Sequence, residues 1–128
     1  MRAVRQKKTK PEMAVRSALH GLGYRFRANA RGLPGSPDLA FTARRKAIFV
    51  HGCFWHRHPG CCLASTPKTR TGFWEEKFAR NVERDARKVA ELEAEGWETL
   101  TVWECQTRDM EGLVLELVEF LGPSRTSP

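Results

Sequence analysis

Between His51 and Cys62, twelve consecutive residues hold three of the chain's four cysteines and three of its four histidines. Gly52, Pro59 and Gly60 interrupt them, so the stretch has no hydrophobic periodicity with which to order itself. Thiolate and imidazole are the ligands Zn²⁺ prefers, and four of them close its tetrahedral shell. Cys53, His58 and Cys61 follow a C-x4-H-x2-C spacing within one loop, and Cys105 supplies a fourth ligand from a distance. A structural zinc ion held by Cys53, His58, Cys61 and Cys105 would clip the loop into one conformation. Cys62 competes with Cys61. The His58-Pro-Gly-Cys61 turn favours Cys61, because it returns both ligands to one ion. Free buried thiols are the bland alternative; they suit isolated cysteines better than a cluster.

The rest of the chain frames this loop. Its 128 residues suffice for one compact domain and not for two. The first 45 residues hold 11 basic and 2 acidic side chains, a balance of +9, and the remainder hold 11 and 13, a balance of −2. A charge excess confined to one third of the chain points to a polyanionic partner, against the alternative of a merely solvated basic face. The start, MRAVRQKKTK, has no apolar signal-peptide region, and no run is long enough to cross a bilayer. A cytoplasmic location without membrane contact is the expectation, and in that compartment cysteines serve metals or catalysis rather than disulfides.

Hydrophobic spacing predicts helices over 10–22, 72–95 and 110–121, and strands over 24–27, 38–42, 46–51 and 97–104. Thr9, Pro11 and Glu12 carry a helix start, while Gly23 and Gly96 are stops. Trp74, Phe78, Val82, Val89 and Leu92 are read as the inner side of the long helix. That helix has the length of a parallel crossover, so a mixed α/β sheet with helices on both faces follows. The boundaries are a single domain over 1–121, with residues 51–66 as its zinc loop, and a polar tail over 122–128.

An acidic and histidine set lies in the same region. Hydrolysing a phosphodiester needs a hard cation, a carboxylate to hold it and a base to activate water. Asp38 at the start of the second strand suits the carboxylate, the Val50 backbone carbonyl a further oxygen ligand, and His56 the base. Each has a plainer reading: Glu12 as half of a capping box, Asp38 as a turn residue, His56 as a spare zinc ligand, His51 as a satisfied strand-end histidine.

Leu33-Pro-Gly-Ser-Pro-Asp38, Phe49-Val-His-Gly-Cys-Phe-Trp-His-Arg-His-Pro-Gly-Cys61, Pro67-Lys-Thr-Arg-Thr-Gly-Phe-Trp74, Asn81-Val-Glu-Arg-Asp85 and Val102-Trp-Glu-Cys105 resemble the very short patch repair endonuclease family. The resemblance spans residues 1–121 in order. It implies a restriction-endonuclease-like three-layer fold. It also implies a Mg²⁺-dependent enzyme that nicks the thymine strand 5′ of a T:G mismatch left by 5-methylcytosine deamination. It puts Asp38 and the Val50 carbonyl on Mg²⁺, makes His56 the general base, and places Glu12 and His51 in the active site. It supports the same zinc ligands, and it makes Phe54, Trp55 and Trp74 wedges that enter the base stack. Lys68 and Arg70 are expected on phosphates, as is Arg57, which stands where the family has a histidine. The implied partners are double-stranded T:G DNA and mismatch-repair proteins. A nicking enzyme needs only one catalytic centre, so a monomer is expected. Members carry a longer N-terminal segment that enters the minor groove, so this chain is expected to begin partway through it. Two rival readings are a restriction or defence nuclease with another trigger, and a zinc-stabilised DNA-binding module without catalysis.

Overall fold

The computed structural model describes residues 9–30, 32–61, 64 and 67–122. The helix α1 spans Lys10–Gly21. It opens where predicted, with the Thr9 hydroxyl accepting the Glu12 N–H at 3.4 Å and a proline in the first turn. Val15 and Leu19, one turn apart, are fully buried.

Four strands form one sheet in the order β1 (Arg27–Ala28), β2 (Leu39–Phe41), β3 (Lys46–His51) and β4 (Glu98–Trp103). The first two junctions are antiparallel and β3–β4 is parallel, with Val50 opposite Val102 and His51 opposite Trp103. The parallel junction requires a long crossover, and α2 (Thr71–Ala94, 24 residues) supplies it. After β4 a short 3₁₀ turn, Glu104–Arg108, leads to α3 (Met110–Leu121), capped by Asp109, whose carboxylate accepts the Gly112 N–H at 3.2 Å.

Alternation along the strands divides the core between two faces. Leu39, Phe41, Ile48 and Val102 meet Val15 and Leu19 of α1 and Leu113, Leu117 and Leu121 of α3. Ala40, Ala47 and Phe49 meet Leu92 of α2 and Trp97. Helices therefore cover both faces, and the predicted layering holds. Each fully buried leucine or phenylalanine contributes about 2–3 kcal/mol by leaving water. Among the described residues, no helix is long and apolar enough to cross a membrane.

Three expectations need correction. The segment 24–27 is not a four-residue strand: pairing is confined to Arg27 and Ala28. Tyr24 is nonetheless buried, held by its hydroxyl donating to the Gly122 carbonyl. The last strand stops at Trp103, because the backbone turns into the 3₁₀ segment there. Val82 is exposed at 46%. The first half of α2 lies against the 52–58 loop rather than the sheet, and Asp85 takes the inward position. The predicted tail over 122–128 lies almost wholly outside the described residues, as do Cys62 and the first eight residues.

Candidate functional site

The ends of β2 and β3 bring the predicted acidic and histidine residues together. Asp38 precedes β2, and its Oδ2 accepts the Val50 N–H at 2.7 Å. This bond leaves Oδ1 available for a cation. Burial raises the Asp38 carboxyl from 3.8 to about 6, opposed by the Val50 hydrogen bond and reinforced by the negative charge of Glu12. Glu12 is 2% exposed, so its carboxylate lies well inside the molecule rather than at a solvated helix start. Arg16 donates to Glu12 Oε2 at 2.5 Å and to Asn29 Oδ1 at 3.1 Å, joining α1 to the residue after β1. Arg16 already offsets the Glu12 charge, but among the described residues Asp38 has no cation in contact, and the negative charge of Glu12 still disfavours its ionisation. The hard oxygen donors of the two carboxylates fit Mg²⁺.

His51 ends β3 and is 8% exposed. Burial and the neighbouring His56 lower its imidazole to about 4, so it stays neutral near pH 7. Its Nδ1 is buried and has no hydrogen-bond partner, an arrangement that costs free energy in the free protein. The His56 ring stacks on it, with centroids 3.9 Å apart and planes 8° apart. His56 is half-buried, and its Nδ1 lies 2.6 Å from Asp85 Oδ2 on α2. With Nδ1–H donating to that carboxylate, Nε2 is left as the acceptor, which is the tautomer a general base requires.

The four predicted zinc ligands converge from two segments. Cys53, His58, Cys61 and Cys105 place one ligand atom each within 4.8 Å of one another. His58 Nδ1 lies 3.6 Å from Cys53 Sγ and 3.4 Å from Cys105 Sγ. The His58 ring stacks on Trp103 at 4.3 Å, and the Cys105 N–H donates to Cys53 Sγ at 3.4 Å. Burial pushes the Cys53 thiol up to about 12, and the neighbouring thiols push the same way. Three crowded thiols and one imidazole form a closed soft donor set, which suits a structural Zn²⁺.

Beside the histidines the loop turns its aromatics onto α2. Phe54 lies edge-on to Phe78 at 5.2 Å and to Trp74 at 6.0 Å, and Trp55 lies 5.7 Å from Trp74. Trp55 is 44% exposed and Phe73 48%, whereas Phe54 and Trp74 are half-buried. The Asn81 amide donates to the Trp55 carbonyl at 3.1 Å and fixes the loop on the helix. Arg57 spans this cluster. Its guanidinium lies 4.0 Å over Phe78 and donates to the Phe54 and Ala64 carbonyls at 3.2 and 2.7 Å. Those bonds make Arg57 a staple of the loop, itself in the left-handed region at φ 55°. Lys68 and Arg70 are exposed at the start of α2, and Arg70 stacks over Phe73 at 4.8 Å.

The roles of Asp85, Arg16 and Asn29 had no independent signal in the sequence. Asp85 belongs to the Asn81–Asp85 string, but its pairing with a histidine 29 residues earlier exists only in three dimensions. Arg16 follows Glu12 by four residues on a helix, an ordinary ion-pair spacing, so it reads as a surface pair.

A two-sided mixed sheet carrying an acidic pocket, a histidine–aspartate pair and a thiol-rich loop has the parts of a hydrolase acting on an anionic substrate. The family model for the DNA mismatch endonuclease Vsr matches residues 1–62. A type II nicking enzyme, V.XorIIP of Xanthomonas oryzae, is 50% identical over 124 residues, covering 97% of this chain and 90% of the relative. The DNA mismatch endonuclease Vsr of Escherichia coli is 47% identical over 116 residues, covering 91% and 74%. The type II nicking enzyme V.NaeI of Lentzea aerocolonigenes is 41% identical over 126 residues, covering 94% and 74%. The chain belongs to the Vsr family of DNA endonucleases.

Proposed function

We propose that this protein nicks double-stranded DNA on the thymine strand, 5′ of a T:G mismatch, by Mg²⁺-dependent phosphodiester hydrolysis. The observation that carries the reading is the meeting of Asp38, His51 and His56 at the β2 and β3 ends, with His56 oriented by Asp85. Family membership supplies the substrate class, and the names of relatives at 50% and 47% identity supply nicking and mismatch recognition.

Asp38 Oδ1 and the Val50 carbonyl would hold the metal, with Glu12 adding negative charge behind them. Charge stabilisation on the scissile phosphate is what the bound Mg²⁺ supplies. His56 Nε2 takes the proton of the attacking water. Asp85 holds the ring in the required tautomer and stabilises the imidazolium that forms. His51, neutral and with an unsatisfied Nδ1, offers a donor or acceptor to the phosphate. Phe54, Trp55 and Trp74 present faces that replace base stacking; a mismatched step is cheaper to open than a paired one, which makes the wedge selective. Lys68 and Arg70 track the backbone. The Cys53, His58, Cys61 and Cys105 set would hold a structural Zn²⁺, which would fix the loop bearing His56 and the wedge. Action during very short patch repair, alongside mismatch-repair proteins and as a monomer in the cytoplasm, completes the proposal.

A nicking assay on a T:G duplex, with matched duplexes as controls, tests this reading. Asp38→Ala and His56→Ala are expected to abolish nicking. Asp85→Asn is expected to lower the turnover rate roughly 10²–10⁴-fold with little change in substrate affinity. Equal cleavage of matched DNA would favour a restriction-type trigger. Binding without any nick in Mg²⁺ would favour a pure binding module.

A further inference from the structure

The helix α2 directs a second charged side chain toward the catalytic pocket. Lys88 follows Asp85 by three residues and so shares its face. The loop before Asp38 rests on this turn of the helix. A Cβ added at Gly35 would lie 2.8 Å from the Lys88 Cβ and 3.2 Å from its Cα. Gly35 has φ +74°, so both its backbone and this contact require glycine. The stem of Lys88 therefore packs directly against the loop that delivers Asp38.

Lys88 is half-buried, and its charge acts on both Asp38 and His51. No carboxylate among the described residues forms an ion pair with it, and the nearby Asp85 is committed to His56. With no carboxylate at contact distance, its ammonium keeps its donors for an arriving anion. We propose that Lys88 is a further catalytic residue whose ammonium contacts a non-bridging oxygen of the phosphodiester under attack.

The proposal rests on the phosphodiesterase reading of Asp38 and His56. In that reaction a bond forms between the water oxygen and phosphorus, and the bond from phosphorus to the leaving oxygen breaks. His56 takes the water proton, and solvent protonates the leaving oxygen. Lys88 keeps its proton throughout and offsets the charge gathering on the phosphate oxygens, a task in which one lost donor typically slows reaction by roughly 10²–10³-fold.

The test is single-turnover cleavage of a T:G duplex by excess enzyme in Mg²⁺, with DNA affinity measured separately in Ca²⁺. Lys88→Met is expected to cut about 100-fold more slowly with nearly unchanged affinity, and Lys88→Arg to recover most of the rate. A fall of less than about tenfold, or a loss confined to affinity, overturns the proposal. Lys88→Gln is read by the same criteria should the methionine variant melt early. Asp38→Asn runs beside them. Full activity in that variant would remove the underlying site, whereas an inactive Asp38→Asn with a fast Lys88→Met removes only the role of Lys88.

Discussion

Asp38 is a residue kept in a state the fold opposes. Its carboxyl titrates near 6 in the folded chain against an ordinary 3.8, chiefly because burial disfavours the ion. Between those values the native state binds more protons than the unfolded chain. The stability that the protonated form contributes is therefore present in full below 3.8 and lost as pH rises through about 6. Asp38→Asn keeps an oxygen for the Val50 N–H and removes the charge. It should raise stability at pH 7.5 by about 1–2 kcal/mol in metal-free buffer, and by less at pH 5, while nicking is lost. Thermal melts at the two pH values check this; an equal gain at both would refute the buried-charge account. Mg²⁺ should stabilise the native protein and leave the asparagine variant unmoved, since a ligand that binds only the folded state adds to its stability. Residue by residue, the sequence made Asp38, His51 and His56 legible through residue type and motif. It left Asp85 and Lys88 hidden, because a carboxylate and an ammonium on a charged helix look like solvated surface until the fold turns them inward.

At the scale of elements, α2 joins functions that are distant along the chain. Its first turns carry Trp74 and Phe78 of the aromatic cluster, its middle carries Asp85 and Lys88, and Leu92 anchors its end on the sheet. The helix was readable from its 3.6-residue period and from Gly96, but the period alone put Val82 inside. A period cannot distinguish packing on a sheet from packing on an irregular loop. The strand β1 was unreadable for a related reason: Tyr24 and Phe26 alternate with arginines, yet only the two residues after them pair. The cysteine–histidine loop was the most legible element, since its Cys53, His58 and Cys61 do converge with Cys105, and ligand chemistry survives without regular structure. Cys61→Ser should lose the bound zinc and lower the melting temperature, whereas Cys62→Ser should keep roughly one zinc per chain. Metal analysis of the purified variants decides between them, and zinc retained by Cys61→Ser would move the ligand assignment to Cys62.

At the scale of the whole molecule, two basic side chains outside the basic first third flank the site. The carboxylates of Glu12 and Asp38 and the stacked histidines form the pocket, and Lys68, Arg70 and the exposed Trp55 and Phe73 lie along the loop and helix start next to it. DNA affinity should fall with salt. Lys68→Ala and Arg70→Ala should each weaken binding to matched and mismatched duplexes alike and reduce the salt slope by about one. Titrations at several ionic strengths measure this, and an unchanged slope would place both side chains off the DNA. Arg57 is expected to behave otherwise. With its guanidinium committed to two loop carbonyls and the Phe78 ring, its removal should act through disorder of the loop.

One consequence concerns how such a chain can diverge. Strand β3 passes Val50, His51 and, two residues on, Cys53 to three different tasks, and its side chains alternate between faces. Inserting or deleting a single residue between Lys46 and Cys53 would invert that phase, exchanging the core, the cysteine cluster and the histidine stack at one stroke. Length variation in lineages that keep the activity should therefore collect downstream, between Cys61 and Arg70. The strand acts as a fixed reading frame for chemistry, and the stretch after Cys61 is where evolution is free to edit.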